Sequence, residues 1–118
     1  MPEQATKHTE VAQYGAWHSP ITASQVASGA VKLSQVSYGP DGEALYWLEG
    51  RPEEGGRQVL VRRAKPGQKP VDLTPAPFNV RSLAHEYGGG AFGVGVFGQS
   101  EKVFFSNFSD QQIYQLDL

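Results

Sequence analysis

The sequence predicts an all-β protein made of antiparallel, four-stranded up-and-down sheets, and three observations carry that expectation. Fourteen glycines, eight prolines and thirteen aromatic residues against a single methionine favour many short strands and turns over long helices. From residue 31 onward, apolar and polar residues alternate in short runs bounded by turn-forming residues. After residue 90 a similar set of runs appears again, in the same order.

The bulk properties set limits on function. A chain of 118 residues can bury most of one core but is too short for two full-sized domains. Ten basic against twelve acidic residues give a formal charge of −2, which removes the electrostatic footprint expected of a nucleic-acid binder. Cysteine is absent, so the chain itself offers no disulfide framework, thiolate nucleophile or Cys-based metal site, which fits a reducing compartment. The first eight residues lack an apolar core behind basic residues, and no apolar run approaches the roughly 20 residues that span a bilayer. The expectation is a soluble, cytoplasmic chain without membrane or nucleic-acid partners. Asn107-Phe108-Ser109 matches the glycosylation sequon and, without a signal, reads as a chance match.

Taken in order, residues 1–30 form an N-terminal extension. Its first dozen residues are polar, and Trp17 is expected to anchor the segment onto a sheet, because a large indole is seldom left free. Thr22 or Ser19 would cap a short helix over residues 23–27, which Ser28-Gly29 stops. From Val31 a strand alternates, with Val31, Leu33, Gln35 and Ser37 on one side and Lys32, Ser34, Val36 and Tyr38 on the other. Gly39-Pro40-Asp41-Gly42 is a turn, since proline presets φ and the final glycine accepts a left-handed conformation. Residues 44–49 read as a strand buried on both faces, with Trp47 in the core. Residues 50–56 read as a charged loop in which Arg51, Glu53 and Glu54, with Arg57 beyond it, are solvated or face another domain. Strands follow at 57–63 and, after the turn at 65–68, at 71–73.

Residues 74–90 connect this first unit, 31–73, to the second, 91–118. In the second, strands are expected at 91–97, 102–106 and 111–116, with a turn at 98–101. Aligning Leu45-Tyr46-Trp47-Leu48 with Val103-Phe104-Phe105-Ser106 gives an offset of 103 − 45 = 58, and aligning Gln58 with Gln112 gives 112 − 58 = 54. The longer first loop absorbs the difference. Repeated four-stranded up-and-down sheets are the blades of a β-propeller, so the chain is expected to be a partial propeller of about two blades, the second incomplete. At least one blade face then lacks its neighbour, and self-association is expected. Up-and-down topology also puts the 50–56 loop and the 74–90 crossing on one side. The crossing must travel from outer rim to inner strand, which gives Gly88, Gly89 and Gly90 a structural role at its end.

Several blocks, in order, resemble one family. Tyr14-Gly15-Ala16-Trp17-His18-Ser19-Pro20-Ile21-Thr22, Tyr46-Trp47-Leu48-Glu49-Gly50-Arg51-Pro52 with Gly55-Gly56-Arg57, Leu73-Thr74-Pro75 with Phe78-Asn79-Val80-Arg81, and His85-Glu86-Tyr87-Gly88-Gly89-Gly90 are similar to the start of the propeller domain of the prolyl oligopeptidase family. Within it, the dipeptidyl-aminopeptidase and acylaminoacyl-peptidase-like branch is nearest. The resemblance implies a larger serine peptidase, with a propeller that restricts access and a C-terminal α/β-hydrolase domain that carries a Ser-Asp-His triad, its serine on a Gly-x-Ser-x-Gly elbow. That elbow does not occur here; Gly98-Gln99-Ser100-Glu101-Lys102 lacks the last glycine and reads as a hairpin turn. The family's catalytic residues therefore map onto nothing in this chain. The hydrolase domain and a peptide substrate are the partners that the resemblance implies for the parent enzyme.

The densest polar chemistry lies in residues 80–92. Arg81, His85 and Glu86 have two roles open to them: satisfying backbone groups and one another at the corner between blades, which we prefer, or gating a peptide terminus through charge-assisted bonds. Gly88-Gly89-Gly90-Ala91-Phe92-Gly93 formally fits a dinucleotide pattern, but a glycine-spaced strand follows it where that chemistry needs a helix. His85-Glu86 lacks the second histidine of a zincin helix, Gly89 standing in its place. No cofactor, metal or catalytic residue is expected in the chain. A second functional class stays open: a small non-enzymatic β-domain that mediates protein interaction through its exposed face.

Overall fold

Two antiparallel sheets packed face to face make up the fold, seen in a computed structural model that describes residues 11–84 and 88–118. The first sheet runs β1 (Lys32–Tyr38), β2 (Leu45–Arg51), β3 (Arg57–Arg63) and β4 (Val71–Asp72); the second runs β5 (Phe92–Phe97), β6 (Ser100–Ser106) and β7 (Ile113–Asp117). Spatial order follows chain order in both. They are up-and-down sheets, and the all-β partial propeller expected from the sequence is the fold observed.

Local chemistry sets the boundaries. The one α-helix among the described residues, α1 (Ala23–Ser28), has Thr22 as its cap: the hydroxyl accepts from the Gln25 amide at 3.1 Å while the Gln25 side chain accepts from the Thr22 amide at 2.7 Å. This reciprocal capping box satisfies two donors that the first turn leaves open. The Asp41 carboxylate accepts from the amides of Glu43 and Ala44, both at 2.9 Å, and these bonds hold its pKa below the ordinary value. The β5–β6 hairpin is tighter than expected. Phe97 pairs with Ser100 across Gly98 and Gln99, so Glu101 lies on the strand and not in the turn.

Strand β1 departs from strict alternation. Its register with β2 shifts between Ser34 and Ser37, and Gln35 adopts φ +48°. A bulge of this kind bends the strand and re-aims side chains. Trp17 also differs from its expected role. It stays 68% exposed, and its indole N–H donates to the Ala12 carbonyl at 2.8 Å, so the ring closes a local turn instead of seating on a sheet.

The core lies between the sheets. Tyr46, Leu48 and Leu60 from the first meet Phe92, Val103 and Phe105 from the second, with Val80 between them. Phe78 adds edge-to-face contacts with Phe105 and Tyr114, at centroid distances of 5.5 and 4.9 Å. Strand β2 is not buried equally on both faces: Tyr46 and Leu48 are buried toward the second sheet, whereas Leu45 and Trp47 are only half-buried on the other side. Trp47 is therefore not a core residue in this structure. Its N–H donates to the Glu49 carboxylate at 3.0 Å.

At the offset of 58, buried Tyr46 aligns with half-buried Phe104, and half-buried Trp47 with buried Phe105. This inversion is what a propeller repeat requires. Equivalent residues of successive blades point the same way around the axis, so the face that the first blade turns toward the second corresponds to the face that the second turns away.

Candidate functional site at the groove between the blades

The crossing from β4 to β5 builds the site. Thr74 begins it inside the protein: its hydroxyl accepts from the Leu60 amide at 3.0 Å and so prolongs the β3–β4 ladder. Arg57, expected in a solvated setting, is instead largely buried and donates to the carbonyls of Thr74 and Phe78 at 3.0 and 2.9 Å. Glu54 pairs with the same guanidinium at 2.9 Å, which lowers the Glu54 pKa. The 50–56 loop and the crossing lie together, as the up-and-down topology demands.

Asn79, Val80 and Arg81 then run between the two sheets as a short ladder. The Val80 amide donates to the Gln58 carbonyl in β3 at 2.9 Å, and the Arg81 amide to the Ser106 carbonyl in β6 at 3.1 Å. The side chains of Asn79 and Asn107 complete it, accepting from the amides of Gln58 and Asn79 at 2.9 and 3.0 Å. Asn107 is 5% exposed and its amide nitrogen bonds Ser109, so the sequon residue is a structural one. The Arg81 guanidinium sits 4.7 Å from the Phe108 ring centre.

The crossing ends in the three glycines, with φ of +76°, +102° and +56° at Gly88, Gly89 and Gly90. A β-carbon is disfavoured in that left-handed region. Ser82 fastens the turn by donating to the Gly89 carbonyl at 2.6 Å. His85 and Glu86, singled out with Arg81 from the sequence, lie outside the described residues.

Beyond the glycines the chain enters β5 beside β1. There the Gln35 side chain reads both backbone groups of the seam, accepting from the Ala91 amide and donating to the Phe92 carbonyl, each at 2.9 Å. No pattern in the sequence marks Gln35, because its role depends on a bulge and on a strand 57 residues away. Between β1 and the crossing a groove of about 550 Å³ opens, with Leu48, Val80 and Ala91 as its apolar wall and Lys32 and Arg81 as its cations. Gln58 also lines it, its side chain laid across Gly50 so closely that an added β-carbon there would meet Nε2 at 2.9 Å.

A second polar link joins the blades away from the groove. The Tyr46 hydroxyl donates to the Glu101 carboxylate and accepts from Arg62 Nε at 2.9 Å. Burial and then the Glu101 bond push the Tyr46 pKa up to about 12. Among the described residues, no group of three His, Cys, Asp or Glu side chains is placed to hold a metal ion, and no helix is long and apolar enough to cross a membrane. The groove offers cations, amides and an apolar wall, which is the equipment of binding.

No family model and no curated protein matches the chain. Solved structures do. A puromycin-hydrolyzing peptidase of Mycobacterium tuberculosis is 35% identical over 92% of this chain, with a TM-score of 0.81, and a puromycin hydrolase is 34% identical over the same share, with a TM-score of 0.78. Both are peptidases of the prolyl oligopeptidase family, the family that the sequence resembles. The chain spans 16% of the length of each of them, and what it matches there is propeller. In this chain the groove and glycine corner lie where one blade hands over to the next.

Proposed function

We propose that this chain forms blades of a propeller that selects short peptides for the catalytic domain of a larger prolyl oligopeptidase-type serine peptidase. The observation that carries the reading is the match of 92% of the chain to a hydrolytic peptidase six times its length. With no Gly-x-Ser-x-Gly in the sequence, the nucleophile belongs to the α/β-hydrolase domain that the rest of such an enzyme supplies. The role of this segment is gating, with Arg81, His85 and Glu86 as the residues that meet substrate. The finer assignment is to the dipeptidyl-aminopeptidase and acylaminoacyl-peptidase-like branch, acting in the cytoplasm.

The test is to express the complete reading frame and assay chromogenic aminoacyl and peptidyl substrates, with puromycin among them. Turnover abolished by a serine-directed fluorophosphonate is expected. Its absence from a folded full-length product overturns the peptidase reading, and turnover by the 118-residue chain alone overturns the non-catalytic role.

A further inference from the structure

The groove between β1 and the crossing joins three features: two cations, of which Arg81 also lies over the Phe108 ring, a buried acceptor and an apolar wall. Lys32 and Arg81 both line it, and among the described residues neither has a carboxylate within 4.0 Å, although Arg51, Arg57 and Lys102 all do. Gln58 lines the same groove, and its buried side-chain oxygen has no hydrogen-bond partner among the described residues. Leu48, Val80 and Ala91 present an apolar surface beside it, where the 550 Å³ volume accommodates a side chain and a few backbone atoms. A buried acceptor without a donor is costly, and two cations lining one groove favour an anion there.

One ligand chemistry satisfies all three. We propose that the groove binds the C-terminal end of a peptide. The carboxylate sits between Lys32 and Arg81, the N–H of the last residue donates to the Gln58 amide oxygen, and an apolar terminal side chain rests on Leu48 and Val80. This deepens the gating role above and rests on it for the identity of the ligand as a peptide. The propeller then selects substrates by their free carboxyl end.

The experiment is an NMR titration of the 118-residue chain with N-acetyl-trialanine as the free acid and as the C-terminal amide. Preference for the acid by about tenfold is expected, as is suited to charge-assisted bonds in a partly open groove. Shifts should centre on Lys32, Gln58 and Ala91, and added salt should reduce the preference. Arg81→Gln should bring acid and amide together, while Arg81→Lys should retain most of the difference. Lys32→Gln, on an exposed position of an edge strand, provides the same test without disturbing the crossing. Equal binding of acid and amide, binding of neither, or shifts confined to another surface overturns the proposal and leaves the gating role standing. Acid-selective binding alongside a full-length product without peptidase activity upholds this site and removes the peptidase reading.

Discussion

At the scale of single residues, Gln35 and Tyr46 join the two blades by different means. Gln35 accepts a left-handed backbone so that its amide can bond two backbone groups of the neighbouring blade. Strain of that kind costs about 1–3 kcal/mol and is offset by the two bonds it makes possible. Gln35→Ala keeps the strain and loses the bonds, whereas Gln35→Gly loses the bonds and removes the strain. The alanine variant should be the less stable by about 1 kcal/mol in urea unfolding; the reverse order would mean that the left-handed backbone at this position stores no strain for glycine to relieve. Tyr46→Phe should cost about 1–3 kcal/mol, because it deprives a buried-edge carboxylate and Arg62 of their shared partner. The pH dependence has a definite sign. The folded state raises the Tyr46 pKa from 10.0 to about 12, so its contribution is complete below pH 10 and is lost as pH rises through 12. An unfolding midpoint measured from pH 9 to 12 should fall in the native chain, and this step should be missing in Tyr46→Phe.

Among the elements, the crossing decides how the blades sit. Arg57, Asn79 and Asn107 give side-chain partners to backbone groups that a sheet ladder would otherwise serve, and the segment thereby runs through the interior without a strand of its own. Asn107→Ala would leave the Asn79 amide unpaired in a buried position, and a loss of about 1–3 kcal/mol is expected by denaturant titration. The glycine corner limits substitution for a different reason. Among the described residues an added β-carbon at Gly89 meets nothing within 4 Å, so the expected cost of Gly89→Val rests on its φ of +102°. About 1–3 kcal/mol is expected there. At Gly88 a β-carbon also approaches the Ser82 carbonyl at 3.0 Å, so even Gly88→Ala meets both penalties.

For the whole molecule, the two sheets cover one face of each other, and the outer face of the second sheet is left open. Phe97 and Ile113 are 54% and 76% exposed on the outer side of the second sheet, and Phe97 stacks edge-on against Phe104 there. An open face of this kind is expected to drive self-association of the 118-residue chain. Sedimentation should show weight-average mass rising with concentration, and a monomer throughout would count against this. Strand order, the hairpins and the capped helix were legible in the sequence because each follows from local signals: alternation, turn residues and a capping pair. The repeat made the propeller legible as well, since a 58-residue offset between β2 and β6 needs only one chain to detect. Burial was less so. Tyr46 and Trp47 are neighbours of similar character, and only the position of the second sheet determines which of them is core. By itself the sequence determined the type and order of the elements and the family they resemble, because these rest on short-range chemistry. The tertiary structure alone decided that Gln35 and Tyr46 close the seam and that Lys32, Gln58 and Arg81 share a groove, because groups far apart in sequence meet only when the crossing brings the second blade against the first.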